Sequence, residues 1–95
     1  MAHFYIRHRV QDYAAWKQVF DDFAPQIRAG GEISYALYHQ EDDDNDISLL
    51  FEWDTMERAK AFIASDEIRE TMRNAGVEGG PPTFLFLNAG GSGAA

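Results

Sequence analysis

The sequence predicts an α+β domain with the element order β-α-β-β-α-β, and three observations lead to this prediction. Four segments either alternate apolar and polar residues with a period of two or are apolar throughout, which is typical of strands. Two segments place apolar residues at spacings of three and four, which is typical of helices with one buried face. The order in which they follow one another is the split, ferredoxin-like arrangement around a four-stranded antiparallel sheet.

A strand and a helix are predicted for the first 30 residues. Residues 3–10 form the strand, one face of which carries Phe4, Ile6, His8 and Val10. Asp12 follows as an N-cap, because its side chain can accept hydrogen bonds from the first free backbone N–H groups. The helix that begins there has an apolar stripe, which consists of Trp16, Val19, Phe20, Phe23 and Ile27. Pro25 is expected to bend its last turns, and Gly30 and Gly31 end it.

The next two strands are predicted to form a hairpin with an acidic tip at residues 41–46. One face of Glu32–Gln40 carries Ile33, Tyr35, Leu37 and His39. The strand after the tip carries Ile47, Leu49, Phe51 and Trp53 on one face. A calcium loop beginning at Asp42 would need Gly at its sixth position and Glu at its twelfth, where the chain has Ile47 and Trp53. The three histidines have no zinc-ligand spacing, so no metal site is predicted.

The rest of the chain is predicted to hold a second helical region and a last strand. Asp54 and Thr55 suit a helix start, and Ser65 caps again, so the helical region is expected to break near Ser65. A glycine-rich loop is expected at 74–80. The strand at 83–88 has an apolar run that indicates burial on both faces. Residues 1–88 then form a single domain, and residues 89–95 form a flexible tail.

Composition excludes several classes of function. The formal net charge of −8 disfavours nucleic-acid binding, because an acidic surface repels phosphates. No apolar run is long enough for a membrane span, and the N-terminal residues lack an apolar signal-peptide core. We therefore expect a cytoplasmic protein with no nucleic-acid or membrane partner.

Three stretches of the chain resemble the antibiotic-biosynthesis-monooxygenase-like group of small dimeric α+β barrels. They are W-D-T-x-E-x-A-x-x-F-x-x-S-x-x-x-x-x-x-M from Trp53, R-H-R-V-Q-D-Y-A-A-W-K-Q-V-F from Arg7, and M-R-N-A-G-V-E-G from Met72. The resemblance implies a ferredoxin-like fold and a homodimer. It says less about the reaction, since the superfamily includes oxygenases, isomerases, cyclases and haem degraders.

The apolar pattern also favours a homodimer. Helices cover one face of a four-stranded sheet, yet Tyr5, Tyr38 and Leu50 place apolar bulk on the other face. A second copy of the sheet, related by two-fold symmetry, would cover it. Arg7 and Glu52 share that face, and we expect an ion pair between them.

His8 and Trp53 are the predicted catalytic residues. The resemblance implies a pocket with an Asn on the first strand and a Trp closing the third; Trp53 matches the Trp, whereas His8 stands at the Asn position. An imidazole can act as a base near neutral pH. The predicted substrate-binding residues are Tyr35, His39, Phe51 and Phe62. The alternatives are a histidine bonded to backbone or tyrosine, and aromatic side chains that only fill the core.

The haem degraders of the group place an axial His about ten residues after the Trp, where this chain has Ile63. No cofactor is therefore predicted. The leading hypothesis is a cofactor-independent monooxygenase acting on a small aromatic or polyketide-like ligand. A polyketide cyclase or isomerase, and a non-catalytic ligand-binding protein, are the alternatives.

Overall fold

The computed structural model describes residues 2–94, with only the backbone for residues 78–81. Met1 and Ala95, the outer limits of the predicted domain and tail, lie outside the described residues. Seven elements follow in order: β1 (Ala2–Val10), α1 (Tyr13–Gly30), β2 (Glu32–Gln40), β3 (Asp43–Trp53), α2 (Met56–Ala64), α3 (Asp66–Asn74) and β4 (Val77–Asn88). In the described part of the chain, no helix is both long and apolar enough to cross a membrane.

The four strands form one sheet in the order β2-β3-β1-β4, and all neighbours are antiparallel. The helices pack on one face, so the predicted α+β, ferredoxin-like fold is confirmed. The alternation predicted for β1 and β3 also holds, because the odd-numbered residues of β3 from Ile47 to Trp53 are buried against the helices. We call this side the helix face and the other side the open face.

Side-chain caps begin the helices where the sequence places them. An oxygen of Asp12 accepts a hydrogen bond from the Ala14 N–H at 3.2 Å. The Thr55 hydroxyl accepts one from the Arg58 N–H at 3.1 Å. Ser65 has extended backbone angles and lies between α2 and α3, so the predicted break in the second helical region is confirmed.

The end of α1 is joined to the end of β3 through a glycine. Gly31 has φ 125°, and a Cβ there would lie 2.6 Å from Nε1 of Trp53 and 2.5 Å from Oδ1 of Asp54. The Trp53 indole N–H donates to the Gly30 carbonyl at 2.9 Å, and the Asp54 N–H donates to the Gly31 carbonyl at 2.9 Å. Only glycine combines this φ with so close an approach.

The first residues of β3 and β4 differ from the prediction. β4 begins at Val77, so most of the expected glycine-rich loop at 74–80 is strand. β3 begins at Asp43, so the predicted hairpin tip at 41–46 is largely strand too. β4 lies at the edge of the sheet, where proline is tolerated, and pairing of Val77 with Val10 holds its first residues.

The predicted ion pair between Arg7 and Glu52 is wrong. The register of β1 and β3 places His3 opposite Glu52 and Arg7 opposite Ser48. Arg7 instead donates two hydrogen bonds to the carboxylate of Asp46, at 3.1 and 2.8 Å. Arg7 and Glu52 do lie on the same face of the sheet, as predicted. Which residues stand opposite each other depends on the register of β1 and β3, which the alternation does not determine.

Candidate functional site

A small apolar cavity lies between the helix face of the sheet and helices α1 and α3. Its volume is about 50 Å³. The sheet contributes Phe4, Ile6, His8, Leu49 and Phe51. The helices contribute Trp16, Val19, Phe20, Phe23, Ile27, Phe62, Ile68, Thr71, Met72 and Ala75. The lining surface is almost entirely carbon, so the cavity offers little to a polar ligand.

His8 is the one buried polar side chain among the described residues. Its side chain is 8% exposed, and neither ring nitrogen has a hydrogen-bond partner in the described part of the chain. The bonded structural histidine considered from the sequence is therefore not observed. Burial lowers the pKa of His8 to about 4, because the apolar surroundings disfavour the imidazolium. At neutral pH the ring is uncharged and can accept a proton.

Aromatic rings form most of the wall around His8. The edge of the imidazole meets Trp16 with ring centroids 5.9 Å apart, and Trp16 stacks on Phe20 at 5.1 Å. Phe62 from α2 lies 6.4 Å from Phe23 of α1, closing the opposite end. Because these rings come from both α1 and α2, the wall depends on how the two helices pack on the sheet.

Trp53 supports this wall from behind and does not line the cavity. Its side chain is fully buried, with its indole N–H bonded to the Gly30 carbonyl. Its ring lies 5.1 Å from Phe62 and 6.0 Å from Phe51. The catalytic role expected for Trp53 stays a prediction, and the contacts of the indole are with other aromatic rings.

Tyr35 and His39 lie near the outer edge of the sheet, outside the cavity lining. Tyr35 is 46% exposed and meets Phe20 edge-on at 5.2 Å. His39 is exposed, with Nδ1 3.0 Å from the Gln40 carbonyl and its ring 5.4 Å from Tyr13. Of the six predicted site residues, the structure brings His8, Phe51 and Phe62 together at the cavity and leaves these two at a distance.

Helices α1 and α3 contribute residues to the site that were not among the predicted site residues. All five residues of the predicted α1 stripe line the cavity. Their helical spacing is visible in the sequence, but that spacing by itself predicts only a buried helix face. Thr71 of α3 had no signal, because its place on the cavity depends on how α3 packs. Its hydroxyl donates to the Glu67 carbonyl at 2.8 Å.

A shallow groove of about 220 Å³ separates α1 from α3 on the surface of the protein. It shares Val19, Phe23 and Thr71 with the cavity, and Asp22 and Asn74 form its polar rim. α3 packs mainly on α2 and β4 and has few contacts with α1. The groove therefore adjoins the cavity that His8 lines.

The described residues contain no group of three or more His, Cys, Asp or Glu side chains that could hold a metal ion. The lining of the cavity includes one histidine, one threonine and one methionine, and no carboxylate. The arrangement places an uncharged imidazole in an enclosure lined almost entirely by carbon.

Comparison with known proteins identifies relatives by structure alone. No family model and no curated protein sequence matches the chain. Among 79 similar solved chains is SnoaB, a cofactor-independent oxygenase from Streptomyces nogalater, with 17% identity and a TM-score of 0.77. That likeness covers 96% of this chain and 94% of SnoaB.

Two further structures show the same likeness. An antibiotic biosynthesis monooxygenase is 14% identical, with a TM-score of 0.71 over 94% of this chain and 98% of the other. A candidate antibiotic biosynthesis monooxygenase from Caulobacter crescentus is 22% identical, with a TM-score of 0.72 over 93% and 88%. At these identities the likeness establishes the fold, and it confirms at that level the resemblance seen in the sequence.

Proposed function

We propose that this protein, which shares its fold with the antibiotic biosynthesis monooxygenases over nearly its whole length, is a homodimeric, cofactor-independent monooxygenase. Its substrate would be a small aromatic or polyketide-like phenol. One observation carries the proposal: His8 is an uncharged, unpaired imidazole buried among aromatic rings. An unpaired buried polar group costs stability, and groups of this kind are candidates for a functional role.

His8 would act as the base in this reaction. Both ring nitrogens are covered in the structure, so the widening that admits the substrate must also uncover one of them. That nitrogen takes the proton from the phenol, and the phenolate and imidazolium stabilise each other because the site excludes water. The electron-rich ring carbon then reduces dioxygen directly and forms a carbon–oxygen bond. The resulting peroxide loses water: one oxygen atom stays as the new carbonyl, the other leaves with two hydrogens from the substrate, and a quinone results.

Substrate binding requires the groove between α1 and α3 to widen. A cavity of about 50 Å³ is far below the roughly 300–1,000 Å³ typical of ligand pockets. Only the hydroxylated edge of the substrate would reach His8, while the body of the ring system lies between the helices. Ser65, the single extended residue between α2 and α3, is the natural hinge for that opening.

The aromatic residues would shape this pocket. Phe51 and Phe62 line the cavity and would contact the hydroxylated edge of the substrate. Trp53 holds both phenylalanines from behind, so its catalytic contribution would be positional. Tyr35 would act in the same way through Phe20, and His39 through Tyr13.

A second copy of the chain would cover the open face. Tyr38, Leu50 and Leu85 are 63%, 39% and 49% exposed there, which is a large apolar surface for a monomer. Stable interfaces bury more than about 1,200 Å² in total, and two such faces offer an apolar centre for one. A cytoplasmic location is also part of the proposal and rests on the sequence.

Oxygen uptake with a series of hydroxylated aromatic substrates tests the function. We expect wild type to consume oxygen, and His8→Phe, which keeps the ring shape, to lose about 10²–10⁴-fold in kcat. Retention of the wild-type fold in His8→Phe is checked by near-ultraviolet circular dichroism. Full turnover in His8→Phe would remove the base from the mechanism, and absence of uptake with all substrates would remove the oxygenase.

The same preparation separates the alternatives. A cyclase or isomerase would form product under argon at the aerobic rate. The small closed cavity specifically favours a non-catalytic ligand-binding protein, because its own side chains fill most of the space between sheet and helices. That reading predicts saturable binding of an aromatic ligand with no chemical change in air or under argon.

A further inference from the structure

The cavity beside His8 is a poor site for water. An ordered water in a protein interior needs about two to four polar partners. Both His8 nitrogens are covered by other atoms, and the Thr71 hydroxyl already donates to the Glu67 carbonyl. Nearly all the remaining surface is carbon, and cavities of that kind stay dry.

The volume selects a small guest. About 50 Å³ is several times the roughly 10–15 Å³ that one water requires, yet it is too little for the ring system of the proposed substrate. A dry apolar space of this size suits a non-polar molecule of two or a few atoms. Dioxygen is such a molecule, and it is the co-substrate of the proposed reaction.

We propose that the cavity beside His8 is a dioxygen-binding site that fills before the aromatic substrate arrives. This inference rests on the proposed function for its purpose. The groove between α1 and α3 adjoins the cavity and shares Val19, Phe23 and Thr71 with it, so a substrate that enters by the groove would cover the cavity after the gas has entered. The substrate carbon next to the abstracted proton then meets dioxygen already in contact, without diffusion through a blocked channel.

The test uses dioxygen itself and needs no substrate. Dissolved dioxygen is paramagnetic and speeds the relaxation of nearby methyl protons, which nuclear magnetic resonance records under oxygen pressure. Ile27 and Leu49 line the cavity, whereas Val10 and Ile47 are equally buried and do not. We expect a several-fold larger relaxation enhancement at Ile27 and Leu49 than at the two control residues.

A pair of matched variants locates the effect. Ala75 lines the cavity, so Ala75→Leu should fill it and reduce the enhancement at Leu49 to the level of Val10. Ala61 is exposed on α2 and outside the cavity, so Ala61→Leu should leave the enhancement unchanged. If Ala75→Leu does not fold, Val19→Leu, one methylene larger at the wall facing the groove, gives a smaller reduction in the same direction.

The outcomes distinguish this inference from the proposed function. Equal enhancement at lining and control methyls, or an enhancement that survives Ala75→Leu, overturns the dioxygen site. A cavity-specific enhancement in a protein that consumes no oxygen with any aromatic substrate supports the site and overturns the monooxygenase instead. Xenon-pressurised crystals give an independent check, with one xenon atom expected in the cavity of wild type and none in Ala75→Leu.

Discussion

Both faces of this sheet carry apolar residues, but the two faces differ in what covers them. On the helix face, Phe4, Ile47 and Trp53 are fully buried. On the open face, Tyr38 and Leu50 are still partly in water. The difference shows that apolar alternation sets which residues share a face, while the elements packed against a face decide whether it is buried.

Polar groups follow the opposite distribution. On the open face most of them have a polar neighbour: Tyr5 and Ser48 hydroxyls lie 2.8 Å apart, and His3 Nε2 lies 3.8 Å from a Glu52 oxygen, while His3 Nδ1 is buried without a partner. On the helix face, His8 has none among the described residues. The proposed roles are association for the open face and chemistry for the helix face, and the following predictions separate them.

The largest expected effect comes from a charge on the open face. Leu50→Glu places a carboxylate near Glu52 in the proposed interface, where an unpaired buried charge is costly. We expect a monomer by light scattering, or no folded protein, and loss of the rise in melting temperature with concentration. Ala61→Glu, the same charge on exposed α2, should stay dimeric. A dimeric Leu50→Glu that melts like wild type would show that the open face is not the interface.

The next effect is a pH dependence on the helix face. The pKa of His8 is about 4 in the folded protein and about 6.5 in the unfolded chain, so between these values only the unfolded chain takes up the proton. The contribution of uncharged His8 to the free energy of unfolding is therefore present in full above pH 6.5 and is lost as pH falls towards 4. At 1.36 kcal/mol per unit this amounts to about 3 kcal/mol.

Urea unfolding of wild type and His8→Phe at pH 7 and pH 4.5 measures that contribution as a difference. We expect the wild type to lose more stability on acidification than the variant, in which this proton uptake is absent. Identical decreases in the free energy of unfolding of the two proteins would mean that His8 is solvated. The helix face would then be as accessible to water at His8 as the open face is.

A smaller effect is expected at Gly31, where the end of α1 contacts the end of β3. Gly31→Ala puts a Cβ within 2.6 Å of the Trp53 indole nitrogen at a φ that disfavours alanine. We expect a loss of about 1–3 kcal/mol in the free energy of unfolding. The matched control is Gly93→Ala, since nothing lies within 4 Å of that position, and it should match wild type. A neutral Gly31→Ala would indicate that α1 and β3 are not tightly joined.

The smallest effect is expected for the tail, of which residues 90–94 are exposed. Deleting residues 90–95 should shift the melting temperature by no more than about two degrees, because these residues have little apolar surface to bury. Differential scanning calorimetry at two protein concentrations checks this. A large decrease at both would show that the tail docks on the domain; a decrease only at low concentration would place it in the dimer.

The sequence by itself determined the local features. Caps at Asp12, Thr55 and Ser65, and the facing of β1 and β3, follow from the chemistry of single side chains and from a period of two. These properties depend on residues close together in the chain, so they can be predicted without knowing the tertiary structure. The place of Trp53 at the meeting point of sheet and helix was predicted on the same basis.

Only the tertiary structure decided how distant segments meet. The partner of Arg7, the early start of β4 at Val77 and the α3 contribution to the cavity each depend on register or on packing between elements far apart in the chain. The isolation of His8 is of the same kind. Its residue type indicated a base, but whether any group reaches its nitrogens is decided by the side chains that α1 and the neighbouring strands bring around it, because hydrogen bonding is directional and short-ranged.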